Sequence, residues 1–234
     1  GNADGTQVGQ CLADGVPTGF TQPNDQIRIT VGGNPNVQPE ESESMNVGVV
    51  FQPAGVPGLN MFADFYDIEI TNLIGSIGAQ LILNGCYDGS NPGYCGLIDR
   101  LPTGFVDDLR NTTNNVGMLE TSGLEVGGSY SFSTAYGDFA LGVDARQLDS
   151  YDVTLANGDL QMAAGYVLGS SRNNFVDFKM NTSLTWSMGD MFASATLQHF
   201  GEGTGVANNP PTMTSTGLVT ETERDIDAIT YLDL

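Results

Sequence analysis

The chain has 234 residues and carries 28 aspartates and glutamates against 7 lysines and arginines, a formal charge of −21. Such acidity repels a phosphate backbone and argues against nucleic acid as a partner. With 15% charged residues, 31 glycines and 40% hydrophobic residues, the composition allows either disorder or a sheet-rich protein. No apolar run approaches the roughly 18 residues of a transmembrane helix.

The start, Gly1-Asn2-Ala3-Asp4-Gly5, has neither a basic nor an apolar targeting region. Either a signal has been removed or the chain is an internal piece of a longer one. From residue 44 onward, apolar and polar residues alternate with period two, the mark of strands buried on one face. In Ser44 to Phe51, Met45, Val47, Val49 and Phe51 share a face. In Leu59 to Tyr66 the apolar set is Leu59, Met61, Ala63 and Phe65.

The next stretch, to about residue 118, holds two local features. Ile74, Ile77, Leu81 and Ile82 have helical spacing with Gly85 beyond, predicting a short amphipathic helix ended by glycine. It either packs on the loop beneath it or acts as a lid. Cys86 and Cys95 flank a loop rich in Gly, Asn, Asp and Pro, which predicts a local disulfide and an oxidising compartment. A zinc site is the rival, but the chain has a single histidine and no C-x-x-C pair. Cys11 then needs a partner outside this sequence.

Four more strands follow by the same alternation. In Thr121 to Phe132, Leu124, Val126, Tyr130 and Phe132 oppose Glu125 and Ser129. In Phe139 to Arg146, Phe139, Leu141 and Val143 oppose Asp144 and Arg146. In Phe175 to Trp186, Val176, Phe178, Met180 and Leu184 oppose Asp177 and Lys179. In Met191 to Phe200, Met191, Ala193, Ala195 and Leu197 oppose Ser194 and Thr196. A seventh strand begins near Ile226. The connections alternate between short (Pro53 to Gly58, Ser133 to Asp138, Ser187 to Asp190) and long. Short turns at one end and long loops at the other are the pattern of outer-membrane barrels. Phe51, Phe132, Tyr136, Phe139, Trp186 and Phe192 lie beside the short turns, and Phe65, Tyr66, Tyr151, Phe175 and Phe200 at the opposite ends, like two interfacial girdles. A soluble β-sandwich is the structural rival.

Catalytic chemistry finds little support. His199 lies on the apolar parity of its strand, and no nucleophile, phosphate-loop, dinucleotide or zinc-protease motif is present. Asp107-Asp108 and Asp225-x-Asp227 read as solvated loop acids. No catalytic, cofactor or metal residue is therefore expected, and no enzyme.

Gly32-Gly33-Asn34-Pro35-Asn36-Val37-Gln38-Pro39-Glu40-Glu41-Ser42-Glu43-Ser44 before a strand resembles the C-terminal barrel of TonB-dependent outer-membrane receptors. Further resemblances follow in order: Phe65-Tyr66-Asp67-Ile68-Glu69-Ile70, the cysteine loop with Tyr87 and Tyr94, Thr121-Ser122-Gly123-Leu124-Glu125, and Tyr231-Leu232-Asp233-Leu234. The resemblance implies an all-β fold: an antiparallel up-and-down meander, part of a large transmembrane β-barrel with long extracellular loops. Residues 1–41 are expected as an extracellular loop leading into the barrel. Residues 42–234 are expected as barrel strands, with long loops at about 71–118, 149–174 and 201–225. The family barrel has about 22 strands and a plugged lumen. Seven predicted strands and no plug or TonB-engaging segment make the chain a fragment by this expectation.

The function so implied is import of a scarce solute (a metal chelate, vitamin or sugar) across the bacterial outer membrane. The implied partners are outer-membrane lipid, the rest of the barrel and its plug, the TonB energy-coupling system and a small solute. Glu125, Asp144, Arg146, Asp177 and Lys179 face the lumen, where they contact plug or solute, or only solvate the wall. Tyr87, Tyr94, Arg146 and Asp144 are the expected solute contacts. Two other readings stand beside this one. One is a secreted acidic all-β adhesion or surface-assembly domain. The other is a glycoside-binding or glycoside-hydrolysing β domain, which needs a cleft lined by aromatics and paired acids.

Overall fold

The structure is a computed structural model that describes residues 12–13, 15–17, 20, 26–87, 89–171 and 173–234; Cys11 lies outside them. It divides into two compact units. One comprises Ser42–Ile70, Leu119–Thr154 and Leu160–Leu234, the other Gly1–Glu41, Thr71–Met118 and Leu155–Asp159.

Seven strands in chain order make the larger sheet: β1 (Glu41–Phe51), β2 (Leu59–Ser76), β3 (Thr113–Thr134), β4 (Gly137–Thr154), β5 (Phe178–Met188), β6 (Met191–Phe200) and β7 (Ile229–Asp233). Each pairs with the next, so the described strands form the predicted up-and-down meander and not a Greek key. The tight turns reflect local chemistry. β5 and β6 meet at Gly189-Asp190 with Met188 paired to Met191, and Gly189 takes a φ of +58°. A glycine with positive φ at the first turn position matches the right-handed twist of the strands it joins. Three short strands, Leu160–Met162, Thr212–Thr214 and Gly217–Val219, extend the same sheet from the end of β4.

Several strands run longer than their alternation. Residues 71–76 and 113–118 were expected as loop but continue β2 and β3, and β4 runs on to Thr154. Alternation records which face meets an apolar medium, whereas a strand ends where its hydrogen-bonded ladder ends. At 18, 22 and 18 residues, β2, β3 and β4 exceed the roughly 9–11 residues that cross a hydrocarbon layer. At the other end of the estimate, β5 starts at Phe178 and not at Phe175, and β7 at Ile229.

Register fixes the faces. Leu184 lies opposite Leu141 on one side and Ala195 on the other, Trp186 opposite Phe139, and Leu197 opposite Leu232. These side chains do not converge on a core. Leu124, Leu141, Leu184 and Met191 are 41, 39, 45 and 50% exposed. Tyr130, Phe139, Val143, Phe178, Met180 and Leu197 are half-buried by neighbours in the same sheet; Tyr130, Phe132 and Phe139 stack in a row at 5.0 and 5.3 Å. Val176 departs from the expectation: it precedes β5 and is buried. An apolar face this large is stable only against another apolar phase.

The other unit has a small core of its own. Ile82, Cys86, Tyr94, Ile98 and Leu109 are buried together. The helix α1 spans Ala79–Tyr87, one residue set later than predicted, because Ile74 belongs to β2. Gly85 is inside it and not its cap: a β-carbon there meets the Tyr94 ring at 2.8 Å, so glycine permits close packing. Cys86 and Cys95 are bonded (2.06 Å), which ties α1 to the following 3-10 turn, Pro92–Leu97. Val106–Arg110 pairs with both Ile29–Thr30 and Ile98–Arg100.

Candidate functional site

The polar face of the meander carries the chemistry. Arg146 lies opposite Lys179, and Asp144 opposite Asn181, across the β4–β5 ladder. With Glu125 of β3 and Phe62 of β2 they line a cavity of about 330 Å³. A second, of about 580 Å³, shares Glu125 and Arg146. Its other walls include Asn46, Tyr66, Thr121, Tyr151, Asn174 and Phe175. The Tyr151 and Phe175 rings are 4.5 Å apart and tilted by 38°. Lys179 donates to the Asn174 carbonyl at 3.2 Å, and its ammonium sits 5.7 Å from the centre of the Phe200 ring.

Glycines on β3 make room for rings from β2. A β-carbon at Gly127 would lie 2.6 Å from Phe62, and one at Gly123 2.6 Å from the Tyr66 hydroxyl. Both pairs are four residues apart on their strands, so two aromatic side chains lie over two bare backbone positions. Between them Asp64 reaches the other way, over Gly48 of β1.

Asp144, Arg146, Glu125 and Lys179 thus share one face, as expected. Asp177 precedes β5, outside both cavities, with its carboxylate over Gly165. The two tyrosines of the disulfide loop need correction. Tyr94, expected as an outer contact, is buried in the small core of the other unit. Tyr87 is held by Arg100, whose Nε donates to its hydroxyl at 3.0 Å and whose guanidinium lies 5.2 Å from its ring. The spacing of the loop predicted the crosslink but not which of its tyrosines faced inward.

The girdle expectation also changes. Tyr66, Tyr151 and Phe175 line the larger cavity, and Phe200 lies under Lys179. Phe192 pairs with Ser187 on the polar parity. Tyr66, Tyr151, Phe175 and Phe200 thus serve the polar face, whereas Phe192, beside the turn, lines a cavity with Leu184 and Trp186 of the apolar one. His199 stays on the apolar parity, opposite Met180, and its Nδ1 lies 2.8 Å from the Thr230 hydroxyl.

Loop acids are more engaged than composition suggested. Asp108, expected to be solvated, is 9% exposed. It accepts from Thr30 Oγ1 at 2.8 Å and Arg28 Nε at 3.4 Å, while Arg28 also pairs with Asp107 at 3.2 Å. The Thr30 hydrogen bond, helped by the Arg28 charge and outweighing partial burial, holds the Asp108 carboxyl below the usual carboxylate range. Glu221 accepts from the backbone N–H groups of Asn208 (2.9 Å) and Asn209 (3.1 Å) and from the Asn209 amide (3.1 Å). The Asn208 backbone bond leads in holding it low. Asn115 drew no notice in the sequence, yet its side chain accepts from Gln38 N and donates to the Gln38 and Asn72 carbonyls at 2.8, 2.9 and 2.7 Å. Only a paired reading of residues some 40 and 77 positions apart could have found it.

Among the described residues, no group of three or more His, Cys, Asp or Glu side chains is placed to hold a metal ion. The TonB dependent receptor-like β-barrel family matches residues 12–234. No curated protein matches the chain. Among solved structures, the siderophore receptor PirA from Acinetobacter baumannii is similar at a TM-score of 0.50 and 11% identity, over 86% of this chain and 26% of that one. The FrpB iron transporter from Neisseria meningitidis (F3-3 variant) gives 0.49 and 11%, over 86% and 25%. The chain thus spans about a quarter of the length of these structures. With a seven-strand meander, an exposed apolar face, a charged opposite face and a family match over nearly its whole length, the chain belongs to the β-barrel family of TonB-dependent receptors of the bacterial outer membrane.

Proposed function

We propose that the chain forms part of the wall and extracellular loops of a receptor that imports a scarce solute across the outer membrane. The solute is a metal chelate, a vitamin or a sugar, and the energy arrives through TonB. The observation that carries this reading is the division of one continuous sheet into an exposed aliphatic face and a face bearing Glu125, Asp144, Arg146 and Lys179. Lipid stabilises the first, while a wet lumen hydrates the second. The polar groups either touch the solute or hold a plug, and both roles need them on this side.

The reading is tested in cells by expressing the receptor that carries this chain and following uptake of labelled candidates from the three solute classes. Uptake that depends on both the receptor and TonB is the expected result. A receptor that fractionates as a soluble secreted protein, with no TonB-dependent uptake, overturns the reading in favour of an adhesion or assembly domain.

A further inference from the structure

We propose that the larger cavity on the polar face binds a neutral, hydroxyl-rich ring, the chemical class of a saccharide. This rests on the receptor reading and narrows its solute.

Three properties of the walls point the same way. First, the cavity of about 580 Å³ is bounded by the rings of Tyr66, Tyr151 and Phe175. Its size is within the range that holds a small ligand. Aromatic faces carry partial negative charge and attract the weakly positive C–H groups on the flat side of a pyranose. Second, the charges on its walls are balanced: one carboxylate, Glu125, and one guanidinium, Arg146. A polyanionic chelate would gain from the arginine but meet the carboxylate, and a cation the reverse, so neither sign is favoured. Third, the remaining polar groups offer both roles. Glu125 accepts, Arg146 donates, the carboxamides of Asn46 and Asn174 do both, and the Thr121 hydroxyl, which donates to the Ser150 carbonyl at 2.9 Å, accepts. Vicinal hydroxyls, each a donor and an acceptor, match that mixture. A purely aromatic or purely charged solute leaves part of it unpaired.

Glycine placement supports a built cavity. Gly123 leaves space for the hydroxyl end of Tyr66 to lie over β3, because any β-carbon there would press on it.

The test uses the full receptor containing this chain, purified in detergent, with calorimetric titration of maltose, cellobiose and chitobiose. Ferrichrome and cyanocobalamin serve as competitors of other classes. Saturable binding of at least one disaccharide is expected, weakened at least tenfold by Phe175→Ala and by Arg146→Leu and preserved by Phe175→Tyr. Retained heat-modifiable migration on gels shows that the variants are folded. Absence of disaccharide binding overturns the proposal, as does binding unaffected by either damaging variant. The two readings fail separately. TonB-dependent import of ferrichrome or cyanocobalamin without disaccharide binding defeats the saccharide and keeps the receptor. Disaccharide binding sensitive to the variants, without any TonB-dependent uptake, keeps the cavity and defeats the receptor.

Discussion

The indole N–H of Trp186 donates to the backbone carbonyl of Tyr136 at 2.7 Å, so a side chain of β5 closes the turn between β3 and β4. The turn also binds itself: Thr134 Oγ1 accepts from Tyr136 N at 3.1 Å and donates to the Gly137 carbonyl at 3.0 Å. Tryptophan suits this position because its apolar body can meet lipid while its one polar atom finds a partner. Trp186→Phe keeps the ring and removes the donor. The expected loss is about 0.5–1.5 kcal/mol, the usual net worth of one hydrogen bond. Urea unfolding of the receptor in lipid vesicles measures it, and an unchanged midpoint would show the bond to be idle.

Adjacent residues of β5 should respond oppositely to charge. Leu184 is on the exposed apolar face, while Ser183 pairs with Gly142 and Thr196 on the polar one. Leu184→Arg is expected to cost about 2–4 kcal/mol if the site is near the bilayer midplane, and Ser183→Arg much less. Equal costs in vesicle unfolding would contradict the assignment of the faces.

The disulfide secures α1 in its small core. Closing a loop of this size contributes about 2–3 kcal/mol in the chain-entropy model. Cys86→Ser should therefore speed hydrogen exchange of the α1 amides while leaving those of β5 and β6 unchanged. Loss of protection throughout the sheet would falsify the view that the crosslink acts locally.

Acid should loosen the same unit through Asp108. Its carboxyl is held low when folded, so it contributes stability that is fully present above the ordinary carboxylate pKa, about 4. That contribution fades as pH falls through the lower folded value. The amide of Leu109, which donates to the Arg28 carbonyl at 3.1 Å, is a local reporter. After correction for intrinsic exchange, its protection should drop below about pH 4, and Asp108→Asn should make it weaker and insensitive to pH in that range. A parallel acid loss in the variant would assign the effect elsewhere.

Much of the fold was legible because a sheet with one apolar and one polar face imposes alternation on each strand, and the meander follows from short turns such as Gly189-Asp190. The candidate site was only half legible. Asp144, Arg146 and Tyr66 could be placed on a face by counting, but Tyr66 and Phe175 also looked like girdle residues because the strands were expected to end beside them, whereas β2 runs on to Ser76. Phe175 is outside β5 altogether, and Tyr151 is in the part of β4 that alternation did not reach. Tyr94 was misplaced for another reason. Whether a loop tyrosine faces solvent depends on the core formed by Ile82, Ile98 and Leu109, which are distant in sequence. A usable signal did exist in the matching four-residue spacings of Phe62 and Tyr66 against Gly123 and Gly127.

Those glycines support a final prediction that separates two kinds of crowding. At Gly127 an added β-carbon meets the Phe62 ring at 2.6 Å and Asp144 Oδ1 at 2.9 Å, both parts of side chains that can turn away. At Gly123 it meets the Gln147 backbone carbonyl at 2.5 Å as well as Tyr66, and the carbonyl belongs to a strand that cannot move alone. Overpacking that forces backbone shifts typically costs about 1–3 kcal/mol. Gly123→Ala should therefore reach that range, and Gly127→Ala should fall below it. Removing the ring distinguishes the two sites further. Phe62→Ala combined with Gly127→Ala should be less damaging than the two single losses added together, because the first substitution clears the obstacle met by the second. Tyr66→Ala should recover much less of the Gly123→Ala loss, since the Gln147 carbonyl remains. A double-mutant cycle of vesicle unfolding energies measures both couplings. Equal rescue at the two positions would mean that β3 and β4 yield at Gly123, and that the close approach there does not hold the strands in place.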